Sequence, residues 1–202
     1  MSSSSGTTAG MSRLKVLVLS PGLPYPPIWG FGIRVYQFLR LLARRHDVTL
    51  LTYEEPDEAE KVAAVRALGV TVHTVPRVKA TEADKRREQF RSMFSSQSYQ
   101  RRSVYSSAMQ SRLADLARQN GYDVIQVESS QLAGFEFDPS AVVVLDEHNI
   151  EYELLHRMYQ TERSIVRRLY NWLEFKKFKR EEVASWAAVS GCVMTSDRKS
   201  VV

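Results

Sequence analysis

The segment "LDEHNIEYE" (Leu145–Glu153) brings two carboxylates, an imidazole and an amide together at Asp146, Glu147, His148 and Asn149. It follows the apolar run "AVVV", so these groups stand where a buried strand is expected to end. An imidazole can donate to or accept from a hydroxyl near neutral pH, which makes His148 a candidate catalytic group. The same residues would also suit a helix-capping turn, with Asn149 capping a helix that begins at Ile150. His148 is the histidine at a strand tip; His46 falls between a helix and a strand, His73 within a strand and His156 within a helix. No metal-binding cluster accompanies His148 in the sequence, and no metal is expected.

A second stretch, "PGLPYPPIWGFG", carries Gly30 and Gly32 just before a predicted helix. Glycines there let a ligand approach the backbone, and a helix N-terminus favours a phosphate. They would equally serve simply to shape a turn. The dinucleotide fingerprint G-x-G-x-x-G is broken, because its third glycine would fall at Val35. No G-K-[ST] sequence marks a P-loop.

The elements that must position these residues read as an α/β fold. "RLKVLVLS" (13–20), "DVTLLTY" (47–53) and "VTVHTVP" (70–76) are short, apolar and β-branched, as buried parallel strands are. Between them, Val35, Phe38, Leu39 and Leu42 form one helical face, and "DEAEKVAAVRALG" runs from acidic start to terminal glycine. The polar middle, residues 79–103, predicts a short helix and a mobile stretch. Tyr105, Met109, Leu113 and Leu116 predict another helix, ending near Gly121. Two strands follow at 122–128 and 140–146, then a long helical region from about Ile150 to Trp186, broken near Thr161, then a sixth strand at 188–196. The expectation is a Rossmann-like, doubly wound, mostly parallel sheet of about six strands with helices on both faces. Ligands of such sheets bind beyond the carboxyl ends of the strands, where both candidate loops lie.

The composition, 44% hydrophobic and 25% charged over 202 residues, suits one globular domain, expected at 13–196. Residues 1–12 read as a disordered tail. The single cysteine, Cys192, excludes an internal disulfide and points to a reducing, cytoplasmic setting. The net charge of +5 points to anionic partners, but without a recognition module nucleic acid is not expected. Between Arg157 and Arg180 stand eight Lys/Arg and two Glu, interleaved with Trp172, Phe175 and Phe178. This basic helix is either a face for an anionic lipid surface, giving peripheral membrane contact, or a core helix with a solvated basic side. In the second case Ile165, Leu169, Trp172 and Leu173 are expected to be buried against the sheet.

Three stretches resemble one family in order. "PYPPIWGFGIRVYQFLRLLARRHDVTLLTY", "VLDEHNIEYELLHR" and "EFKKFKREEVASWAAVSGCVMTS" are similar to the N-terminal half of retaining glycosyltransferases of family 4, which have the GT-B fold. The resemblance covers Leu14 to Ser196 and implies an acceptor-side domain, half of a GT-B fold. It implies a nucleotide-sugar donor as substrate, with Gly30, Phe31 and Gly32 near its diphosphate and sugar, and His148 at the transferred sugar. Arg34, Asn149 and Glu151 would face a glycan, lipid-linked or small-molecule acceptor. Many members have adjacent glycines where Phe31 intervenes here. The family's donor-binding half is not in this sequence, so the chain alone is expected to be inactive. The ending "DRKSVV" matches the translation of a common sequencing adaptor, so 197–202 is expected to be a non-native tail. Two rivals remain: a standalone, non-catalytic Rossmann-like binding module, and a nicotinamide-dependent oxidoreductase, which Val35 disfavours.

Overall fold

The computed structural model describes residues 12–77 and 80–194; the expected tails, apart from Ser12, lie outside them. Six parallel strands form one sheet: β1 (Lys15–Ser20), β2 (Asp47–Glu54), β3 (Thr71–Pro76), β4 (Val124–Glu128), β5 (Val142–Glu147) and β6 (Gly191–Met194). Their order is β3-β2-β1-β4-β5-β6, the Rossmann order. The chain winds outward from β1 to β3 and returns to place β4 on the other side of β1. That reversal opens a crevice between the carboxyl ends of β1 and β4.

Period-two alternation along the strands divides the core. Leu17 and Leu19 of β1 join Ile125, Val127 and Leu145 on the face covered by α5 (Ser107–Asn120), through Met109, Leu113 and Leu116. Val16 and Val18 point the other way, into a cluster shared with Val35 and Leu39 of α1 (Gly30–Leu42) and Val62 and Val65 of α2 (Ala59–Arg66). The helices on both faces and the near-continuous apolar strands of the sequence are thus the same fact.

Local chemistry sets the helix ends. The polar middle forms two helices, α3 (Glu82–Met93) and α4 (Tyr99–Val104). A reciprocal capping box starts α3: Thr81 Oγ1 accepts the Asp84 N–H at 3.2 Å, and Asp84 accepts the Thr81 N–H at 3.0 Å. Ser98 and Ser106 cap α4 and α5. Tyr105, expected inside α5, terminates α4 instead, because Ser106 takes the N-cap position of α5. Gly121 ends α5 at φ 58°, in the region that favours glycine.

The long helical region breaks as expected, into α6 (Glu151–Thr161) and α7 (Ile165–Ala188). The buried face of α7 is a correction. Ile165, Leu169 and Trp172 are exposed, at 84%, 54% and 39%. The inward face is Glu174, Phe175, Phe178, Glu181, Glu182 and Ser185. Each glutamate finds donors that no aliphatic side chain could satisfy. Glu174 accepts the Tyr99 N–H at 2.6 Å and the Ser92 hydroxyl at 3.0 Å. Glu181 accepts the Ser98 N–H at 2.9 Å and hydroxyl at 2.5 Å. Glu182 accepts the Ser130 hydroxyl at 2.8 Å and the Glu151 and Tyr152 N–H groups at 3.0 and 2.9 Å. Hydrogen bonds thus tie α7 to α3, α4, α6 and the β4–β5 connection.

Burial pushes the Glu182 carboxyl up to about 7, and the nearby Glu147 charge adds to the rise, against the N–H and hydroxyl donors. The raised folded value means that the folded state holds this proton while the unfolded state has lost it. Stability therefore falls as pH rises from the ordinary glutamate range through about 7, by a total on the order of 3 kcal/mol. Glu182→Gln keeps an oxygen acceptor and removes the charge. Its melting temperature relative to wild type is expected to improve by on the order of 5 °C between pH 5 and pH 8. A difference that does not change with pH would contradict this assignment.

Candidate functional site

At the carboxyl edge, β4 ends in Glu128 and β5 in Asp146 and Glu147, at 1%, 5% and 0% exposure. Buried carboxylates must be paired, and each of these has a different partner. Glu128 Oε2 lies 2.8 Å from His148 Nε2, while its Oε1 accepts from the Gln126 amide at 2.8 Å. Asp146 takes both branches of the Arg34 guanidinium, at 3.0 and 2.5 Å. Glu147 accepts from the Trp186 indole at 2.9 Å and from the Ser130 N–H at 3.4 Å. Desolvation raises the Glu147 carboxyl, against these two donors, and the Glu151 charge raises it further.

Ser129 turns the chain sharply after Glu128, at φ 108°. A serine there is strained, and strain of this kind clusters at functional sites. The turn delivers Ser130 to Glu147 and Glu182.

The two candidate loops meet. The Phe31 ring packs on the His148 ring at 4.9 Å between centroids. Gly30 and Gly32 do not precede α1; they occupy its first turn, after the Trp29 N-cap, which makes no side-chain capping bond. The helix's first internal bond is from Ile33 N–H to Trp29 O, so the N–H groups of residues 30–32 face the helix end. The glycines have different physical roles. A Cβ on Gly32 would meet the Trp29 indole at 3.0 Å, so Gly32 makes room for that ring. A Cβ on Gly30 would meet nothing within 4 Å, so the fold itself does not demand glycine there. Val35 is fully buried against the sheet where a dinucleotide fingerprint would need its third glycine.

Arg34 stands one turn into α1, as expected, but Asp146 holds its fork. The pair braces α1 to β5. Asn149 is exposed beside His148 and is not the cap of α6. The N-cap position is Ile150, with no side-chain capping bond, and Glu182 takes the N–H groups of Glu151 and Tyr152 from across the fold. Glu151 opens α6, where its negative charge suits the helix N-terminus.

The sequence shows no metal cluster near His148, yet folding brings one atom each of Glu128, Asp146 and His148 within 4.8 Å of one another. That donor set would suit a divalent cation. The Arg34 guanidinium already supplies positive charge at Asp146, so the cluster is also paired without one. Glu128 is the residue that sequence reasoning missed; its signal was an acid closing an apolar strand, "DVIQVE". Burial and the neighbouring Glu147, Asp146 and Glu182 charges push the Cys192 thiol up to about 11, so it stays protonated near neutral pH and is a poor nucleophile.

The glycine assignments separate by mutation. Gly30→Ala is expected to keep or slightly raise the melting temperature, since alanine favours a helix. Gly32→Ala is expected to displace Trp29 and change the near-ultraviolet dichroism of its indole. Equal behaviour of the two variants would contradict the distinction.

No protein-family model and no curated protein sequence matches the chain. Among solved structures, a protein from Sinorhizobium meliloti 1021 named as a short-chain dehydrogenase/reductase is similar at a TM-score of 0.36 and 12% identity, over 94% of this chain and 98% of that one.

Proposed function

We propose that this chain is the acceptor-side domain of a nucleotide-sugar-dependent glycosyltransferase that passes a sugar to a glycan, lipid-linked or small-molecule acceptor. The observation that carries this reading is the packing of Phe31 on His148, which joins the first turn of α1 to the strand-tip histidine. A helix N-terminus attracts a diphosphate. A histidine backed by a buried carboxylate, 2.8 Å away, suits the positive charge that grows on a departing sugar. In the reaction the donor C1–O bond to the diphosphate breaks, a C1–O bond to the acceptor hydroxyl forms, and the hydroxyl proton leaves with the diphosphate. His148 orients the sugar and steadies its charge, and Glu128 fixes the ring.

With the domain joined to its nucleotide-sugar-binding half, His148→Ala is expected to lower kcat by about 100-fold or more. The Michaelis constant for the donor should change little. Unchanged turnover would remove His148 from the reaction and favour the non-catalytic binding module.

The exposed end of α6 and α7 favours a peripheral membrane contact for the same protein, at the inner face of a cytoplasmic membrane. Among the described residues no helix is long and apolar enough to cross a membrane. Met158, Ile165, Val166 and Leu169 are 54–84% exposed and interleave with the exposed Arg157, Arg163, Arg167 and Arg168. Apolar side chains among arginines suit an anionic lipid interface. Sedimentation with phosphatidylglycerol vesicles should carry the protein down, with Ile165→Glu/Val166→Glu abolishing it. Equal sedimentation of wild type and variant would rule this surface out.

A further inference from the structure

A cavity of about 450 Å³ opens between α4, Tyr105 and the β4–β5 connection. Its size is that of a ligand pocket. Gln97, Arg101, Arg102, Tyr105, Gln131 and Phe135 supply its chemistry. The Tyr105 ring is 53% exposed and stacks on the buried Phe135 ring, with centroids 5.4 Å apart and planes 23° from parallel. The stack therefore presents a fixed aromatic face. Arg101 is a brace: its guanidinium donates to the Glu181 carbonyl at 2.9 Å and to the Ser185 hydroxyl. Arg102 donates to Glu88 at 2.9 Å from one terminal nitrogen, and its Nε is buried without a hydrogen-bond partner.

The cavity continues. A neighbouring concavity of about 450 Å³ shares Val104 and Tyr105 and adds Arg77, Ser103 and Ser106. A third, of about 550 Å³, shares Arg77, Arg102 and Ser103 and adds Lys85. Arg77 lies over the Tyr53 ring, 5.7 Å from its centroid. Together they form a groove with several cations, an aromatic platform, amides and hydroxyls. Acids also line it: Glu136 in the first cavity, and Glu55, Asp84 and Glu88 in the third. Glu88 is paired with Arg91 and Arg102.

We infer that this groove binds an acidic glycan chain. Sugar rings have an apolar face that packs on an aromatic ring, as Tyr105 offers, and hydroxyls that suit Gln97, Gln131, Ser103 and Ser106. Guanidinium groups recognise carboxylate or phosphate through charged N–H donors, which Arg77 and the Arg102 terminal nitrogen not engaged by Glu88 supply. Gln131 in its wall is three residues from Glu128, which holds His148, so their Cα atoms lie within about 11 Å. The inference rests on the transferase reading for its role, since a chain lying here would be the acceptor, but its binding is measured without turnover.

The test is calorimetric titration of the protein with tetragalacturonate, a hexose phosphate and neutral maltotetraose, on wild type, Arg102→Gln, Arg102→Lys, Arg77→Gln and Tyr105→Ala. Tetragalacturonate is expected to bind at least about tenfold more tightly than maltotetraose, and less tightly as salt rises. Arg102→Gln and Arg77→Gln should erase most of that preference, Arg102→Lys should keep part of it, and Tyr105→Ala should weaken binding of either tetrasaccharide. A preference for the hexose phosphate, lost in the same variants, would identify phosphate as the recognised anion. Equal affinities, no binding, or variants that fold and bind as wild type would overturn the inference. If the acidic chain binds as described but receives no sugar from the complete enzyme, its acceptor role fails and the binding site stands.

Discussion

Carboxylates buried at the ends of β4 and β5 set the terms for the rest of this structure. Glu128, Asp146 and Glu147 sit where strands emerge from an apolar sheet, and a buried charge without a partner would cost several kcal/mol. The partners come from three directions. His148 follows on the same chain, Arg34 reaches across from α1, and Trp186 and Ser130 arrive from α7 and the β4–β5 connection. Pairing them fixes the distance from α1 to β5, the ring plane of His148 and the path of the chain after β4. The site's geometry follows from keeping the sheet edge electrically satisfied.

Glu182 extends the same logic one layer outward. It holds the start of α6 and the Ser130 hydroxyl, so the segment bearing His148 and Asn149 is anchored at both ends. Glu174 and Glu181 do the same for α3 and α4. Using glutamates inward leaves aliphatic side chains of α7 outward, on the surface proposed for lipid. The α4 helix held by those glutamates forms a wall of the charged, aromatic groove. One helix therefore supports the candidate reacting histidine, a wall of the groove and the tip proposed to meet lipid.

Much of the fold was legible because its signals are local. Short β-branched runs, glycine at 121 and the gap near Thr161 each act over a few residues, and each is where it was expected. The meeting of His148 with the glycine-bearing turn was also legible, since strand order in such sheets places both loops on one edge. Long-range pairing was not legible. Nothing local shows that Glu182 replaces Asn149 as the cap of α6, or that Asp146 takes the Arg34 fork. The α7 face was misread for a related reason. Hydrophobic spacing counts apolar residues, and this helix buries acids whose partners lie tens of residues away. Glu128 escaped notice because a strand-ending acid acquires meaning only when His148 is brought to it.

The central claim is that Glu128 acts through His148 at the transferred sugar. A double-mutant cycle on kcat/KM, with Glu128→Gln, His148→Ala and the pair, measures it in the enzyme completed by its nucleotide-sugar-binding half. Both single variants should lose activity, and the double variant should be no worse than His148→Ala alone. Losses that simply multiply would show that the two residues work independently and would contradict the account.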